Sequence, residues 1–213
     1  MINPTRLTVL IFISLVMTLS SPKIALGDQD RAKDLFNTCI PCHGESGEGR
    51  PHLEAPAIAG MEEWYILNQL NNFRKGGRGT HGDDAAGIRM RPLARTLPKE
   101  EDVKSIATYV SKLKKSELAI TVEGRPLLGQ KAYNSTCVAC HGVDGRGNRS
   151  LNAPSLLQTN DWYLLNQLKK FKAGIRAGDA SLDPIGATMA PMAQTLATEQ
   201  DMKDIVRYIQ GLR

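Results

Sequence analysis

One short motif, present twice, constrains this 213-residue chain more than any other feature. The two copies, 98 residues apart, are Cys39-x-x-Cys42-His43 and Cys137-x-x-Cys140-His141. This spacing is the attachment signature of c-type haem: both thiols add to the haem vinyl groups, and the histidine becomes the proximal iron ligand. Because the two copies use all four cysteines, the sequence predicts two covalently bound haem c groups.

The residues around each motif are repeated as well. The segment 64–70 recurs as 162–168, and later matches shift from an offset of 98 to one of 99 between Arg176 and Gly186. This shift predicts a one-residue insertion in a loop, where insertions are tolerated. We therefore expect two domains related by internal duplication, residues 28–114 and 126–213, joined by a linker at 115–125.

Apolar periodicity predicts about three helices in each half and almost no strand, so the predicted fold class is all-α. The expected helices span about 30–38, 62–75 and 98–113, then 128–136, a segment from Asn160 or Asp161, and one capped by Thr198 and Asp201. Pro98 is expected at the first position of the third helix.

Residues 1–27 have the features of a secretory signal: Arg6, an apolar stretch, and small residues before Asp28. An uncleaved anchor is the alternative, but the apolar stretch is shorter than the roughly 20 residues of a spanning helix. Export to the periplasm follows. Disulfides are the usual role of cysteines in that compartment, but haem attachment would use all four.

The net charge of +5 falls to about +3 without the predicted signal. The first half is neutral and the second half basic, without the clustered charge of a nucleic-acid-binding surface. We therefore expect no nucleic acid among the partners, and no membrane span after processing.

Met90 and Met189 are the candidates for the second axial ligand of each iron, because they occupy equivalent positions of the repeat. We expect both in a loop after the central helix. A single methionine is more often core filler. Met192 is a local rival of Met189, and His52 and His81 are expected at the surface.

Pro56 and Pro154 follow the two motifs at equivalent distances. An iron-ligating imidazole donates its other N–H to an acceptor that fixes the ring. Each proline carbonyl is a candidate acceptor; the alternative is an ordinary turn proline.

Arg78 and Arg176 are candidates to bind haem propionates through charge-assisted hydrogen bonds. An exposed arginine after a helix end is the alternative. Trp64 and Trp162 are candidates to pack on the haem or in the core, and their indole N–H groups could reach a propionate.

Together these motifs resemble the diheme class I cytochromes c of the cytochrome c4 family, over nearly all of residues 28–213. The resemblance implies two tandem class I cytochrome c domains with neighbouring haems. It also implies an electron carrier that is not an enzyme and works between redox partners, such as a membrane quinol-oxidising complex and a terminal oxidase or reductase.

Three other classes remain open at this point. One is the diheme subunit of a dehydrogenase complex, such as a flavocytochrome c sulfide dehydrogenase. A second is a diheme peroxidase, which the paired methionines disfavour because it needs an open iron position. A third is a zinc or thiol-redox site, for which further ligands are missing.

Overall fold

The computed structural model of the protein describes residues 26–213. Residues 1–25, which hold most of the predicted signal, lie outside the described residues. Among the described helices, none is both long and apolar enough to cross a membrane.

Residues 26–213 form ten α-helices, two short 3-10 turns and no β-strand. In the first half the helices are α1 (Leu26–Phe36), α2 (Ile40–His43), α3 (Glu63–Lys75), α4 (Ala85–Arg95) and α5 (Glu100–Lys112). In the second half they are α6 (Pro126–Thr136), α7 (Val138–His141), α8 (Asp161–Lys172), α9 (Pro184–Gln194) and α10 (Glu199–Gln210). The all-α prediction is confirmed.

The helix order of the first half repeats in the second. Helices α3 and α8 begin 98 residues apart, whereas α4 and α9 begin 99 residues apart. The extra residue therefore lies in the loop before α9, as the sequence predicts.

Helices α4 and α9 correct one prediction, because Met90 and Met189 lie inside them and not in a loop. The prolines two residues later indicate a loop, since proline removes a helical hydrogen bond. Each helix nevertheless continues past its proline, and its first turn is capped by Asp84 or Asp183.

Other helix boundaries differ by a few residues from those predicted. Helix α5 begins at Glu100, so Pro98 precedes it, and α1 ends at Phe36 instead of continuing to residue 38. The predicted capping box is confirmed: Thr198 and Asp201 each accept a backbone N–H from the other.

Each half has its own hydrophobic core. Helix α5 packs on α1 and α3, and α10 packs on α6 and α8. The core side chains include Phe36, Ile66, Leu70, Val103, Ile106 and Val110 in the first half and Tyr133, Leu165, Ile205, Val206 and Ile209 in the second. The terminal helices of each half thereby hold the central helix, α3 or α8, in place.

The linker is fixed to the second half by the buried side chain of Asp161. Its carboxylate accepts backbone N–H groups from Thr121 at 2.5 Å, Val122 at 2.8 Å and Trp162 at 2.7 Å. Burial alone would raise the pKa of Asp161, but these hydrogen bonds hold it below its usual value.

We expect Asp161→Asn to lower the free energy of unfolding by about 2 kcal/mol at neutral pH, because the amide turns a donor towards backbone N–H groups. The wild-type contribution is present above the ordinary carboxyl pKa of 3.8 and is lost as the pH falls through the lower folded-state pKa. Urea unfolding from pH 7 to pH 3 measures both effects. Glu63→Gln, at the equivalent position of α3, is the control, and equal losses for the two variants would contradict the assignment.

Candidate functional site

The first cavity opens beside the first cysteine–histidine motif. Its empty space, part of it open to solvent, is about 1110 Å³, and its wall includes Cys39, Cys42, His43, Pro56 and Met90. Much of the remaining wall is apolar, including Leu70, Phe73, Ile106 and Val110. One space thus brings together most of the side chains predicted to act on the first cofactor.

The second cavity repeats this arrangement. Its empty space, part of it open to solvent, is about 1500 Å³, and its wall includes Cys137, Cys140, His141, Pro154 and Met189. Five residues of the two central helices and their approach line both cavities: Met61, Tyr65, Gln69, Tyr163 and Gln167. The two cavities therefore meet at the interface between the halves.

Both motif histidines are buried and bound to the prolines predicted for them. Nδ1 of His43 lies 2.8 Å from the Pro56 carbonyl oxygen, and Nδ1 of His141 lies 2.9 Å from that of Pro154. A carbonyl only accepts, so Nδ1 carries the proton and Nε2 keeps a lone pair for a metal. Burial lowers the pKa of both histidines, against the opposite effect of these hydrogen bonds, which favours the neutral ring.

Gly49 and Gly147 let each proline segment approach its motif closely. Both have positive φ, +85° and +81°, and their N–H groups donate to the carbonyls of His43 and His141. A Cβ atom on Gly49 would lie 2.5 Å from the nitrogen of Ala57, so a side chain there would push the proline segment away from the histidine.

Met90 and Met189 are half-buried in the walls of their cavities, on the helices that Asp84 and Asp183 cap. Met192 also lines the second cavity, with 37% of its surface exposed. Its counterpart in the first cavity is Leu93, so only Met90 and Met189 form an equivalent pair.

Arg78 and Arg176 are buried between the two halves, so the surface alternative for them is wrong. Arg78 donates to Gln69 at 2.7 Å and to Tyr163 across the interface at 3.2 Å. Arg176 mirrors it, donating to Gln167 at 2.8 Å and to Tyr65 at 3.4 Å.

The two guanidinium groups retain unused hydrogen-bonding capacity. Each Nε–H is buried without a hydrogen-bond partner within residues 26–213. Burial opposes ionisation of Tyr163, yet the charges of Arg78 and Arg176 lower its pKa. An interface with two buried cations and spare donors suits an anionic ligand in the adjoining cavities.

Trp64 and Trp162 do not line either cavity. Trp64 lies beneath the guanidinium of Arg149 from the other half, 4.6 Å from the ring centre, and Trp162 packs against the second core. Their buried indole N–H groups have no partner in the described part of the chain, so contact with a cofactor stays a prediction.

His52 and His81 are exposed, as predicted. Nδ1 of His81 accepts the backbone N–H of Asp83 at 3.2 Å, and neither histidine lines a cavity. Both therefore lie outside the cavity walls.

Cys39 and Cys137 lack the environment of a reactive thiol. Burial, with the nearby Cys42 or Cys140 adding to it, raises the pKa of Cys39 and Cys137 to about 11, so free thiols there stay protonated and unreactive. Within residues 26–213, no group of three or more histidine, cysteine or carboxylate side chains is arranged to hold a metal ion.

The profile of the cytochrome c family matches the chain twice, over residues 29–114 and 127–213. The chain belongs to the cytochrome c family. Each match contains its own cysteine–histidine motif, and the helices of each half surround one of the two cavities.

Relatives that match most of the chain indicate the type of cytochrome. The thiosulfate dehydrogenase electron acceptor of Thiomonas intermedia (strain K12) is 33% identical over 178 residues, 76% of this chain and 76% of that protein. Cytochrome c4 of Stutzerimonas stutzeri is 28% identical over 213 residues, 95% of this chain and 98% of that protein. The crystal structure of reduced recombinant cytochrome c4 from Pseudomonas stutzeri matches with a TM-score of 0.63 and 26% identity, covering 87% of this chain and 98% of that one.

The chain is thus a diheme electron carrier of the cytochrome c4 family, with two covalently bound haem c groups. The residues present fit this cofactor. Each cavity has two thiols, a neutral imidazole with a fixed ring and a thioether in its wall, and spare guanidinium donors lie where the cavities meet.

We expect Gly49→Ala to destabilise the first domain by more than about 2 kcal/mol, because the substitution adds both backbone strain and a clash with the proline segment. Urea unfolding of the holoprotein and its haem content measure the loss. Gly82→Ala is the matched control, since a Cβ atom there meets nothing within 4 Å. A Gly49→Ala protein as stable as this control would disprove the role assigned to Gly49.

Proposed function

We propose that His43 and Met90 ligate the iron of the first domain and that His141 and Met189 ligate that of the second. One observation carries the proposal: each pair lines one cavity together with its own cysteines. The match between the two cavities favours Met189 over Met192, which has a leucine as its counterpart.

Haem, when bound, supplies a one-electron ferric–ferrous couple at each site. The protein holds the surroundings of that couple fixed. The Pro56 and Pro154 carbonyls orient the imidazoles. The thioethers of Met90 and Met189 would be the second ligands of the two irons, and such ligation would raise the reduction potential and leave no site for other ligands. Little then has to rearrange when an electron arrives.

Arg78 and Arg176 would donate their free Nε–H groups to haem propionates. This role accounts for the free donors of two buried cations whose hydrogen-bond acceptors are neutral amide and phenol oxygens. Anions supplied by the cofactors would also reduce the cost of burying the two charges side by side.

We propose the domain limits 28–114 and 126–213, with residues 115–125 as the linker, and export to the periplasm after removal of residues 1–27. There the protein would carry electrons from a membrane quinol-oxidising complex to a terminal oxidase or reductase. The similarity to cytochrome c4 over nearly the whole chain supports this role.

A second candidate function is that of electron acceptor for a dehydrogenase. It is related to one of the alternatives raised by the sequence, the diheme subunit of a dehydrogenase complex. The name of the 33% identical relative, thiosulfate dehydrogenase electron acceptor, specifically favours it. Stopped-flow reduction of the ferric protein distinguishes the two donors: thiosulfate with thiosulfate dehydrogenase on one side, quinol with a quinol-oxidising complex on the other. The faster donor at matched concentration identifies the physiological class.

Removing one methionine should affect one site. We expect wild-type protein matured in the periplasm to contain two covalent haems per chain and to show the ferric Met–iron charge-transfer band. Met90→Ala and Met189→Ala should each lose half of that band while keeping both haems, because cysteine attachment is untouched. Pyridine haemochrome and near-infrared spectra measure the two quantities.

Met192→Leu, which installs the residue found at the equivalent position of the first domain, is the control and should keep the full band. Loss of half the band in Met192→Leu, with none lost in Met189→Ala, would reassign the second ligand. Protein without haem would end the proposal.

A further inference from the structure

The interface between the domains is symmetric in its arginine, tyrosine and glutamine contacts but not in all of its charges. Glu62 and Asn160, 98 residues apart, immediately precede α3 and α8. Each side chain accepts a backbone N–H from the other domain: Asn160 from Ala57 at 2.7 Å and Glu62 from Ser155 at 2.8 Å. Equivalent contacts thus use a neutral amide in one case and a carboxylate in the other.

These two contacts lie directly behind the proximal histidines. The Pro56 carbonyl that accepts from His43 and the Ala57 N–H that donates to Asn160 belong to one peptide unit. The unit between Pro154 and Ser155 likewise joins His141 to Glu62. Each imidazole is therefore connected, through one peptide group, to a side chain of the opposite domain.

A second pair of equivalent contacts differs in charge on the methionine side. Nζ of Lys170, on α8, donates to Asp84 at 2.6 Å, whereas Nδ2 of Asn72, on α3, donates to Asp183 at 2.8 Å. Both aspartates are buried caps of the helices that carry Met90 and Met189. Across the interface, the donor to Asp84 is an ammonium group, whereas the donor to Asp183 is a neutral amide.

The two charged members of these pairs reach the opposite cavities. Lys170 lines the first cavity together with Asp84, and Glu62 lines the second. Their neutral counterparts, Asn72 and Asn160, line neither. The site of domain 1 therefore gains a cation and that of domain 2 an anion, each supplied by the other domain.

We propose that Lys170 and Glu62 tune the two haems across the interface in opposite directions: Lys170 raises the reduction potential in domain 1, and Glu62 lowers it in domain 2. The inference rests on the proposed electron-carrier sites. It concerns the charge that each site receives from the opposite domain, which comes from these two side chains.

Electrostatics gives the sign of both effects. Reduction adds a negative charge, so a nearby ammonium group favours the ferrous state and a nearby carboxylate the ferric state. Glu62 acts in a second way, because hydrogen bonds in a chain polarise one another. A carboxylate on the Ser155 N–H makes the Pro154 carbonyl a stronger acceptor, and His141 becomes a more basic ligand that favours ferric iron.

Redox titration of the purified holoprotein, followed optically and by NMR signals that separate the two haems, tests the proposal. We expect Glu62→Gln to raise the potential of one step only, changing the ferrous-to-ferric ratio at fixed potential about threefold to tenfold; tenfold corresponds to about 59 mV. Lys170→Gln should lower the other step by a similar factor. Asn160→Asp, which adds a carboxylate behind His43, should lower the same step as Lys170→Gln.

Glu63→Gln and Lys169→Gln are matched controls, because they change the net charge equally one residue away and Lys169 pairs with Glu199 of its own domain. Neither should change the separation of the two steps. Lys170→Arg keeps the charge and should keep the wild-type potential, which separates tuning from loss of the fold. Equal shifts of both steps, or shifts as large in the controls, would overturn the inference; absence of haem or of reversible titration would instead overturn the proposed function.

Discussion

The hydrogen bond from each proximal imidazole to a proline carbonyl determines much of the surrounding structure. It requires the proline segment to lie against the motif, and that approach requires a glycine with positive φ at residues 49 and 147. It also presents the next backbone N–H to the opposite domain, where Asn160 or Glu62 accepts it. One peptide group in each half therefore orients an iron ligand and forms part of the contact between domains. A shift of that interface would therefore move the carbonyl that orients the imidazole.

The two halves depend on each other through buried charge as well as through packing. Arg78 and Arg176 are almost fully buried, and each donates to oxygens of both domains. Burying a guanidinium with neutral acceptors alone is costly, and an anion that completes its hydrogen bonds offsets the cost. Haem propionates at the junction of the cavities would be such anions. Incorporation of the cofactor would then stabilise the interface along with each domain's core.

The sequence predicted the fold class, the duplication, the position of the inserted residue and the histidine–proline pairs, because each depends on local chemistry or on comparing one half with the other. It misplaced Met90 and Met189 in loops, since proline at residues 92 and 191 outweighed a helix whose aspartate cap is recognised only in the structure. It did not decide whether Arg78 and Arg176 are exposed or bind a propionate. Aligning the two halves pairs each arginine with its own copy and does not show which residues contact it. The contacts of Arg78 lie in the other half as well as its own. The polar residues retained at Tyr65, Gln69 and Arg78 were the available signal, since three polar side chains kept in both copies suggest a common interface.

Duplication also limits how the two haem sites can differ in reduction potential, and such a difference is what favours electron transfer in one direction. Two domains with the same fold, the same predicted ligands and a fully symmetric interface would have equal reduction potentials. A difference in potential must therefore come from positions at which the two halves carry different residues. Differences on the outer surface are screened by water and salt, with a Debye length of about 8 Å at physiological ionic strength. Charges within the interface are screened much less. Lys170 is 18% exposed and bound to a buried carboxylate, and Glu62 accepts a backbone hydrogen bond beside the second cavity. Lys170 on α8 and Glu62 just before α3 are therefore the charges that each domain supplies to the cavity of the other.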